Sequence, residues 1–429
     1  MSSQTDRWEK RGIERLLWGA CATVLAGCLV PGATGQNALT WDEVRHRFEA
    51  SNPTLRAARI GIDESKAQEV TAYLRPNPDI TTTLDQIDPF STNPYRPFGY
   101  ALPLISTSYL HERRNKRELR LESAQKGTAI AESQLADQER TLIFNLRNSF
   151  VQALQAKAVL AVAQESLAYY DHLLAVSNDR FRAGDIARVD LNRLELQRVQ
   201  FETDVQTALV NVRTAKIQLL ALLNDRTPIE QFDVTGPFDF AEPVTTMDEL
   251  HNIAMATRPD LKAAVQAVDK AKTDYRLAVA NGSWDPTFGV DFARNPPIPL
   301  YVGFSITIPL RFSDRNQGEK ARTQLDVRRN ERLREATNAQ VFSDVDSAWA
   351  TLNSNLTLLR PYKTKYLDLA TSVRETVSFA YQSGGSSLLD FLQAQNDYRS
   401  VQLGYLNLVG AYLTAANQLN LAVGREVIP

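Results

Sequence analysis

Hydrophobic and polar residues alternate one for one in a few short stretches of the chain and recur at helical spacing almost everywhere else. The clearest alternation is "LYVGFSITIPLRF", which sets Leu300, Val302, Phe304, Ile306, Ile308 and Leu310 against Tyr301, Gly303, Ser305 and Thr307. A neighbour, "TFGVDFA", sets Phe288, Val290 and Phe292 against Gly289, Asp291 and Ala293. Successive side chains on a strand point to opposite faces, so these runs predict strands over about 287–293 and 300–310, each with one apolar face. Weaker alternation in "DITTTLDQI" and "FGYALPLIS" predicts two more, over about 79–87 and 98–107. A half-buried sheet of a soluble domain has this pattern, and so does a membrane β-barrel, whose strands of similar length carry apolar outer faces. A small closed barrel needs about eight strands. Four do not suffice, so the barrel reading requires several chains.

The helical stretches carry a heptad. From Phe391, positions alternately three and four apart read Phe391, Ala394, Tyr398, Val401, Tyr405, Leu408, Tyr412, Ala415, Leu419 and Ala422, all apolar or aromatic. An equivalent series begins at Leu191 and runs through Leu194, Phe201, Val205, Ala208, Val212, Ala215, Leu219 and Leu222, with Arg198 the single exception. A seam with this period predicts coiled-coil packing. Upstream of each seam lies a helical pattern of roughly 70 residues, which at 1.5 Å per residue spans ~105 Å. The pattern predicts an elongated rod with a small β end.

Each long pattern stops at small residues, "FRAGDIARVD" around Gly184 and "YQSGGSSLLD" around Gly384, and both turns place an aspartate, Asp190 or Asp390, six residues on. The match extends further. "TWDEVRHRFEASNPTLRAA" from Thr40 is repeated as "TMDELHNIAMATRPDLKAA" from Thr246, with Pro53/Pro259, Leu55/Leu261, Asp63/Asp269 and Lys66/Lys272 in register. Later pairs are Thr214/Thr414, Ala215/Ala415, Gln218/Gln418 and Leu219/Leu419. The chain thus reads as two copies of one unit, 40–224 and 246–424, joined by a connector at 225–245 rich in Pro, Gly and Phe, with a tail at 425–429. Each copy runs helix, two strands, long helix, glycine turn, helix. The first helix opens with a capping Thr-x-Asp-Glu and is expected to bend at its proline.

Composition narrows the function. Across 429 residues, 48 Lys and Arg stand against 50 Asp and Glu, a net charge of −2, which argues against nucleic acid as a partner. Mean hydropathy is −0.30. Arg7, Lys10, Arg11 and Arg15 precede the uncharged run "LLWGACATVLAGCLV", too short to span a membrane, so residues 1–35 are expected to be an export signal. "LAGC" resembles a lipobox that would leave Cys28 acylated; Ala33-Thr34-Gly35 offers an ordinary cleavage site instead. No later run predicts a transmembrane helix, which leaves a barrel open. Cys21 and Cys28 both lie in the signal, so no thiol chemistry is expected. His46, His111, His172 and His251 are scattered, and beyond the signal the methionines are Met247 and Met255, a poor supply for a transition-metal site. No G-x-x-x-x-G-K, H-E-x-x-H or nucleophile–base pairing stands out, so neither catalysis nor a cofactor is expected.

The order of elements written twice, the openings "NPTLRAA" and "RPDLKAA", the strand approach "PNPDI" and the turn "YQSGG…LLDFLQAQNDY" together resemble the TolC family of outer-membrane efflux factors, over about Leu39 to Gly424. The resemblance implies a mainly α fold with a small β part. It implies a homotrimer whose chains each give four strands to a twelve-stranded barrel among outer-membrane lipids, continued by helices as a periplasmic tunnel. It further implies a passive exit duct served by a periplasmic adaptor and an inner-membrane pump, either in efflux or in type I protein secretion. A soluble periplasmic coiled-coil adaptor or scaffold is the rival reading, against which the duplication and the four alternating strands count.

By the same resemblance Asp390 falls where the family carries an acidic ring at the tunnel entrance, although an aspartate so near a helix start also serves as a cap. A second acid of that ring is Gln393 here. Tyr381 and Asp190 fall where a closing network joins neighbouring tips. The arginine expected after the turn glycine is Ser386, which leaves Arg182 and Arg188 as candidates for its role. Gly184, Gly384, Gly385 and Ser386 form the tips that would dock on the adaptor. The pairs Arg113-Arg114 and Arg328-Arg329, after the second strand of each copy, read as solvated surface or tunnel rim.

Overall fold

The computed structural model describes residues 38–428 except 91, 243, 244 and 296; the expected signal and Cys28 lie outside the described residues. The first copy consists of α1 (Trp41–Ser51), α2 (Pro53–Tyr73), β1 (Asp79–Asp85), β2 (Leu102–Leu110), α3 (Lys116–Ala183) and α4 (Arg188–Leu222). The second consists of α5 (Met247–Thr257), α6 (Pro259–Asn281), β3 (Thr287–Asn295), β4 (Ile298–Thr307), α7 (Gln317–Pro361), α8 (Leu367–Gln382) and α9 (Leu388–Val423). No helix among the described residues is long and apolar enough to cross a membrane.

The single first helix expected in each copy is two helices, because the proline begins a new one. Glu43 and Glu249 accept from the backbone N–H of Thr40 and Thr246, at 2.8 and 3.1 Å, and so cap α1 and α5. At the break, Asn52 accepts from the N–H groups of Thr54 and Leu55 at 2.9 and 3.1 Å, and Pro53 fills the first helical position, where no N–H is needed. The second copy solves the same break differently. Buried Arg258 replaces Asn52 and pairs with Asp260 at 2.6 Å and Asp344 at 2.9 Å. Burial alone would push the Asp260 carboxyl up, but Arg258 outweighs it and holds the group below its ordinary range.

The long helix of the first copy is continuous for 68 residues, about 100 Å. Its counterpart is interrupted. Pro361 donates no hydrogen bond, and the backbone widens into a π turn over Tyr362–Tyr366 before α8 resumes. Gly404 on α9 makes room: a Cβ there would lie 3.2 Å from the Tyr362 hydroxyl. Beside this turn the α9 seam residues Tyr398, Val401, Tyr405 and Leu408 are only half-buried, while Phe391, Ala394, Tyr412, Ala415, Leu419 and Ala422 are buried as the heptad requires. Helices α4, α3 and α9 pack side by side in that order, with α7 and α8 beyond α9.

The four strands form one antiparallel sheet in the order β1-β2-β3-β4, so the central β2–β3 pair joins the two copies. The second strand begins at Leu102 rather than Phe98, since Gly99 and Ala101 spend their N–H groups in turns on Arg96 and Phe98. The fourth strand stops at Thr307, short of Ile308 and Leu310, because Pro309 has no N–H for the ladder and the partner strand begins only at Thr287. Register decides the faces. Ile80 lies opposite Thr107, Ile105 opposite Phe292, Phe288 opposite Ile306 and Val290 opposite Phe304, which gathers these apolar residues on one face. Thr81, Thr83, Ser106, Ser108, Gly289, Asp291, Gly303 and Ser305 line the other. Ser106 donates to Asp291 across the joint between the copies. The apolar face is bare: Phe304 is 83% exposed and Ile80 75%.

Candidate functional site

The two glycine turns close the ends of the paired helices in the same way. Gly184 and Gly384 have φ of 87° and 80°, a left-handed conformation that costs residues with a Cβ about 1 kcal/mol or more. In the first turn Asp185 N–H returns to the Arg180 carbonyl at 2.9 Å; in the second, Gly385 N–H returns to the Ala380 carbonyl at 2.7 Å. Nothing lies within 4 Å of a Cβ built on either glycine, so backbone conformation, not crowding, selects the residue.

After the turns the copies diverge. Ser387 caps α9: its hydroxyl accepts from the Asp390 N–H at 3.2 Å and donates to the Asp390 carboxylate at 2.8 Å. These contacts, first from the Ser387 hydroxyl and then from its N–H, hold the exposed Asp390 carboxyl below its ordinary range. Ser386 reaches the same carboxylate at 3.5 Å. In the first copy Ala187 replaces that serine and α4 has no side-chain cap. Asp190 is half-buried, 3.8 Å from Arg193.

Tyr381 is buried in a cluster with Tyr170, Leu173, Leu194, Phe201 and Phe391, which draws on both copies. Its ring stacks on Phe391 with centroids 5.0 Å apart. Burial raises its phenol pKa and nearby Asp190 adds to the rise, against Arg180 and Ser177, which lower it. Asp190 thus lies within electrostatic reach of Tyr381 in the same chain, although the phenol's hydrogen-bond partner is Ser177. Gln393 stands apart, exposed and donating to Asp397 at 2.8 Å. Arg182 pairs with Asp179 at 3.2 Å and Arg188 lies over the Phe181 ring at 5.4 Å, so both stay on their own hairpin.

The residue that does bridge the hairpins is Arg180, which donates to the Tyr381 carbonyl. A second bridge runs from the Tyr169 hydroxyl to Ser378 at 2.9 Å, and Gln395 donates to the same serine at 3.3 Å. Arg374 lies between the rings of Tyr169 and Tyr398, at 5.2 and 3.8 Å. Further along, Arg399 pairs with Asp204 between the copies. Arg198, the heptad exception, pairs with Asp171 at 2.6 Å and Glu202 at 3.2 Å, which accounts for a charge on the seam. Of this cluster the heptads pick out Leu194, Phe201 and Phe391 and the family resemblance picks out Tyr381, whereas Tyr169 and Tyr170 carry no sequence signal beyond an aromatic doublet.

Residues 250–425 match the outer membrane efflux protein family, a stretch that is the second copy of the duplicated unit almost end to end. The cobalt-zinc-cadmium resistance protein CzcC of Cupriavidus metallidurans is 24% identical over 398 residues, 90% of each chain. The pyoverdine export outer membrane protein OpmQ of Pseudomonas aeruginosa is 24% identical over 384 residues, 86% of this chain and 76% of that protein. Among solved structures, CusC superposes with a TM-score of 0.75 at 16% identity, covering 91% of this chain and 94% of that one. The open-state MtrE outer membrane channel of Neisseria gonorrhoeae gives 0.74 at 17%, covering 90% and 89%. These neighbours are channels, not enzymes. The second copy thus matches the outer membrane efflux protein family, and the chain over nearly its whole length, a duplicated unit of paired long helices on a two-faced four-stranded sheet, is similar to outer-membrane efflux proteins.

Proposed function

We propose that three copies of this chain close into one passive outer-membrane duct. The observation that carries the reading is the open sheet, with one bare apolar face, one small and polar face, and two outer strands, β1 and β4, whose outer edges pair with nothing among the described residues. In water such edges and such a face invite aggregation. In an outer membrane, three sheets joined edge to edge would place the apolar faces in lipid and the polar faces on a lumen, with twelve strands in all. The helices then extend the lumen through the periplasm, and residues 1–35 serve as export signal, with Cys28 as a lipid attachment point.

The glycine turns form the periplasmic mouth in this reading. Gly184, Gly384, Gly385 and Ser386, flanked by Arg182 and Arg188, dock on a periplasmic adaptor joined to an inner-membrane pump. Three Asp390 carboxylates, exposed and held ionised, favour cations at the entrance. Tyr381 and Asp190 hold the paired hairpins together behind it, and Gln393 leaves the ring single. The duct takes its cargo from the pump: CzcC is named for metal resistance and OpmQ for pyoverdine export, on similar chains.

Fractionation and mass test this. The mature protein should stay with outer membranes through a carbonate wash and leave them in detergent with the mass of three chains. A monomer that washes off without detergent would sink the duct and favour a soluble adaptor; secretion of a protein substrate by the intact assembly would favour type I secretion over efflux.

A further inference from the structure

At the junction of sheet and helices lies a cleft of about 410 Å³ whose lining includes Arg75, Tyr109, His111, Arg113, Arg114 and Arg117. Its position follows from register. Tyr109 lies opposite Phe288, on the apolar face of the sheet, and the His111 ring packs against Phe288 with centroids 6.4 Å apart, so the cleft opens just beneath that face.

Arginine outweighs carboxylate here. Glu112 is engaged by Arg120, Glu118 by Arg117 and Asp285 by Lys116 and the Arg113 N–H, while no carboxylate pairs with the side chains of Arg75, Arg113 or Arg114 among the described residues. Two guanidinium groups lie over aromatic rings, Arg113 over Trp284 at 4.0 Å and Arg117 over Tyr73 at 4.2 Å, and Arg117 also donates to the Tyr73 hydroxyl and to Glu118. A guanidinium held over a ring with no carboxylate on its side chain, as at Arg113, keeps N–H groups free for a phosphate. Aromatic rings and arginines at the lower edge of an apolar band are where a bilayer changes from acyl chain to headgroup.

The geometry points to a binding site for the phosphate of an anionic phospholipid in the periplasmic leaflet, with the acyl chains lying along the apolar sheet face above. Arg75 and Arg114 supply unpaired charge, and Arg113, held over Trp284, supplies orientation. This rests on the duct reading proposed above.

The test uses the full-length protein inserted into vesicles of equal parts phosphatidylglycerol and phosphatidylcholine, followed by detergent release and quantification of the lipid that stays bound. Phosphatidylglycerol should be retained over phosphatidylcholine, and Arg75→Gln with Arg114→Gln should lower that preference about fivefold per arginine. Arg332→Gln, an exposed charge on α7, is the control and should leave it unchanged. Insertion with no lipid preference, or a preference untouched by the double variant, overturns the site alone. Displacement of the lipid by millimolar inorganic phosphate overturns the lipid assignment in favour of a soluble phosphate. Failure of the wild type to enter vesicles of either lipid overturns the duct reading and the site with it.

Discussion

Arg180, on the first hairpin, donates from Nη1 to the carbonyl oxygen of Tyr381 on the second at 3.2 Å, and its guanidinium carbon lies 5.5 Å from the centre of the Tyr381 ring. The contact sits one helical turn before both glycine turns, so it holds the two tips of one chain together where they end. A hydrogen bond from a charged donor contributes about 1.5–3 kcal/mol, and the stacked Tyr381–Phe391 pair adds apolar burial behind it.

Replacing Arg180 with Ala is expected to loosen the tips without unfolding the helices. A loss of about 2 kcal/mol corresponds to roughly a thirtyfold gain in the open population if the contact holds the mouth closed. Single-channel conductance in planar bilayers reads this directly. Tyr381→Phe, which keeps the ring and the backbone carbonyl, should change little by comparison.

Asp390 makes a pH prediction with a definite sign. Ser387 lowers its folded pKa, so the bound, ionised form contributes stability that is present above the ordinary aspartate value of about 3.9 and is lost as pH falls through the lowered one. Cation sensitivity of the conductance should therefore persist unchanged from neutral pH to about 5. Asp390→Asn should abolish it while Ser387→Ala, which costs the cap about 1 kcal/mol, should keep it and shift its loss to higher pH. Cation sensitivity that survives in Asp390→Asn would leave this carboxylate as a helix cap and nothing more.

At Gly384 conformation and space make separable predictions. The left-handed φ of 80° makes Ala cost about 1 kcal/mol, yet nothing lies near a Cβ there. Gly384→Ala should fold, form trimers and export nearly as well as the wild type. Gly384→Val should form trimers yet fail in export, as a branched side chain covers the docking surface. Loss of trimers in cross-linking would assign the turn to folding instead of docking.

Much of this was legible because periodicity is local. The heptads at Phe391 and Leu191, the Thr-x-Asp-Glu caps and the glycine turns are each written within a few residues of where they act. Ends of strands were less legible, since Pro309 stops β4 only in combination with a partner strand that itself starts at Thr287. The tip cluster was least so. Arg182 and Arg188 lie nearer the turn than Arg180, yet it is Arg180 whose side chain points across to the second hairpin, and helix rotation is not readable from charge alone. Asp190 and Asp390 occupy matching positions, but with Ala187 in place of Ser387 at the helix start Asp190 has no cap to hold and sits 3.8 Å from Arg193, while Asp390 stays on its own cap.

Arg258 tests the break between α5 and α6. Its side chain is buried against the half-buried Asp260 and Asp344, so Arg258→Ala removes their nearest cation, leaving Asp260 with Arg140 at 3.9 Å and Asp344 with Gln340, and should cost about 2 kcal/mol. Because the folded pKa of Asp260 is lowered, the wild type should lose this stabilisation as pH falls below about 4, while the variant should show a weaker acid dependence. Thermal unfolding in detergent across that range checks both. Equal midpoints at neutral pH would mean that Pro259 alone maintains the break.

The sheet offers the most direct test of which face meets lipid. Phe304 and Thr81 both lie on strands at the sheet edges, but register places Phe304 on the apolar face and Thr81 on the polar one. An arginine facing the middle of a bilayer costs about 2–4 kcal/mol, whereas one facing a water-filled lumen costs little. Phe304→Arg is therefore expected to lower the yield of detergent-resistant trimer in the outer membrane, and Thr81→Arg to leave yield unchanged while altering conductance. In a soluble domain with a half-buried sheet the exposed Phe304 position would accept arginine readily, so equal yields of the two variants in membrane fractions would remove the barrel from the reading.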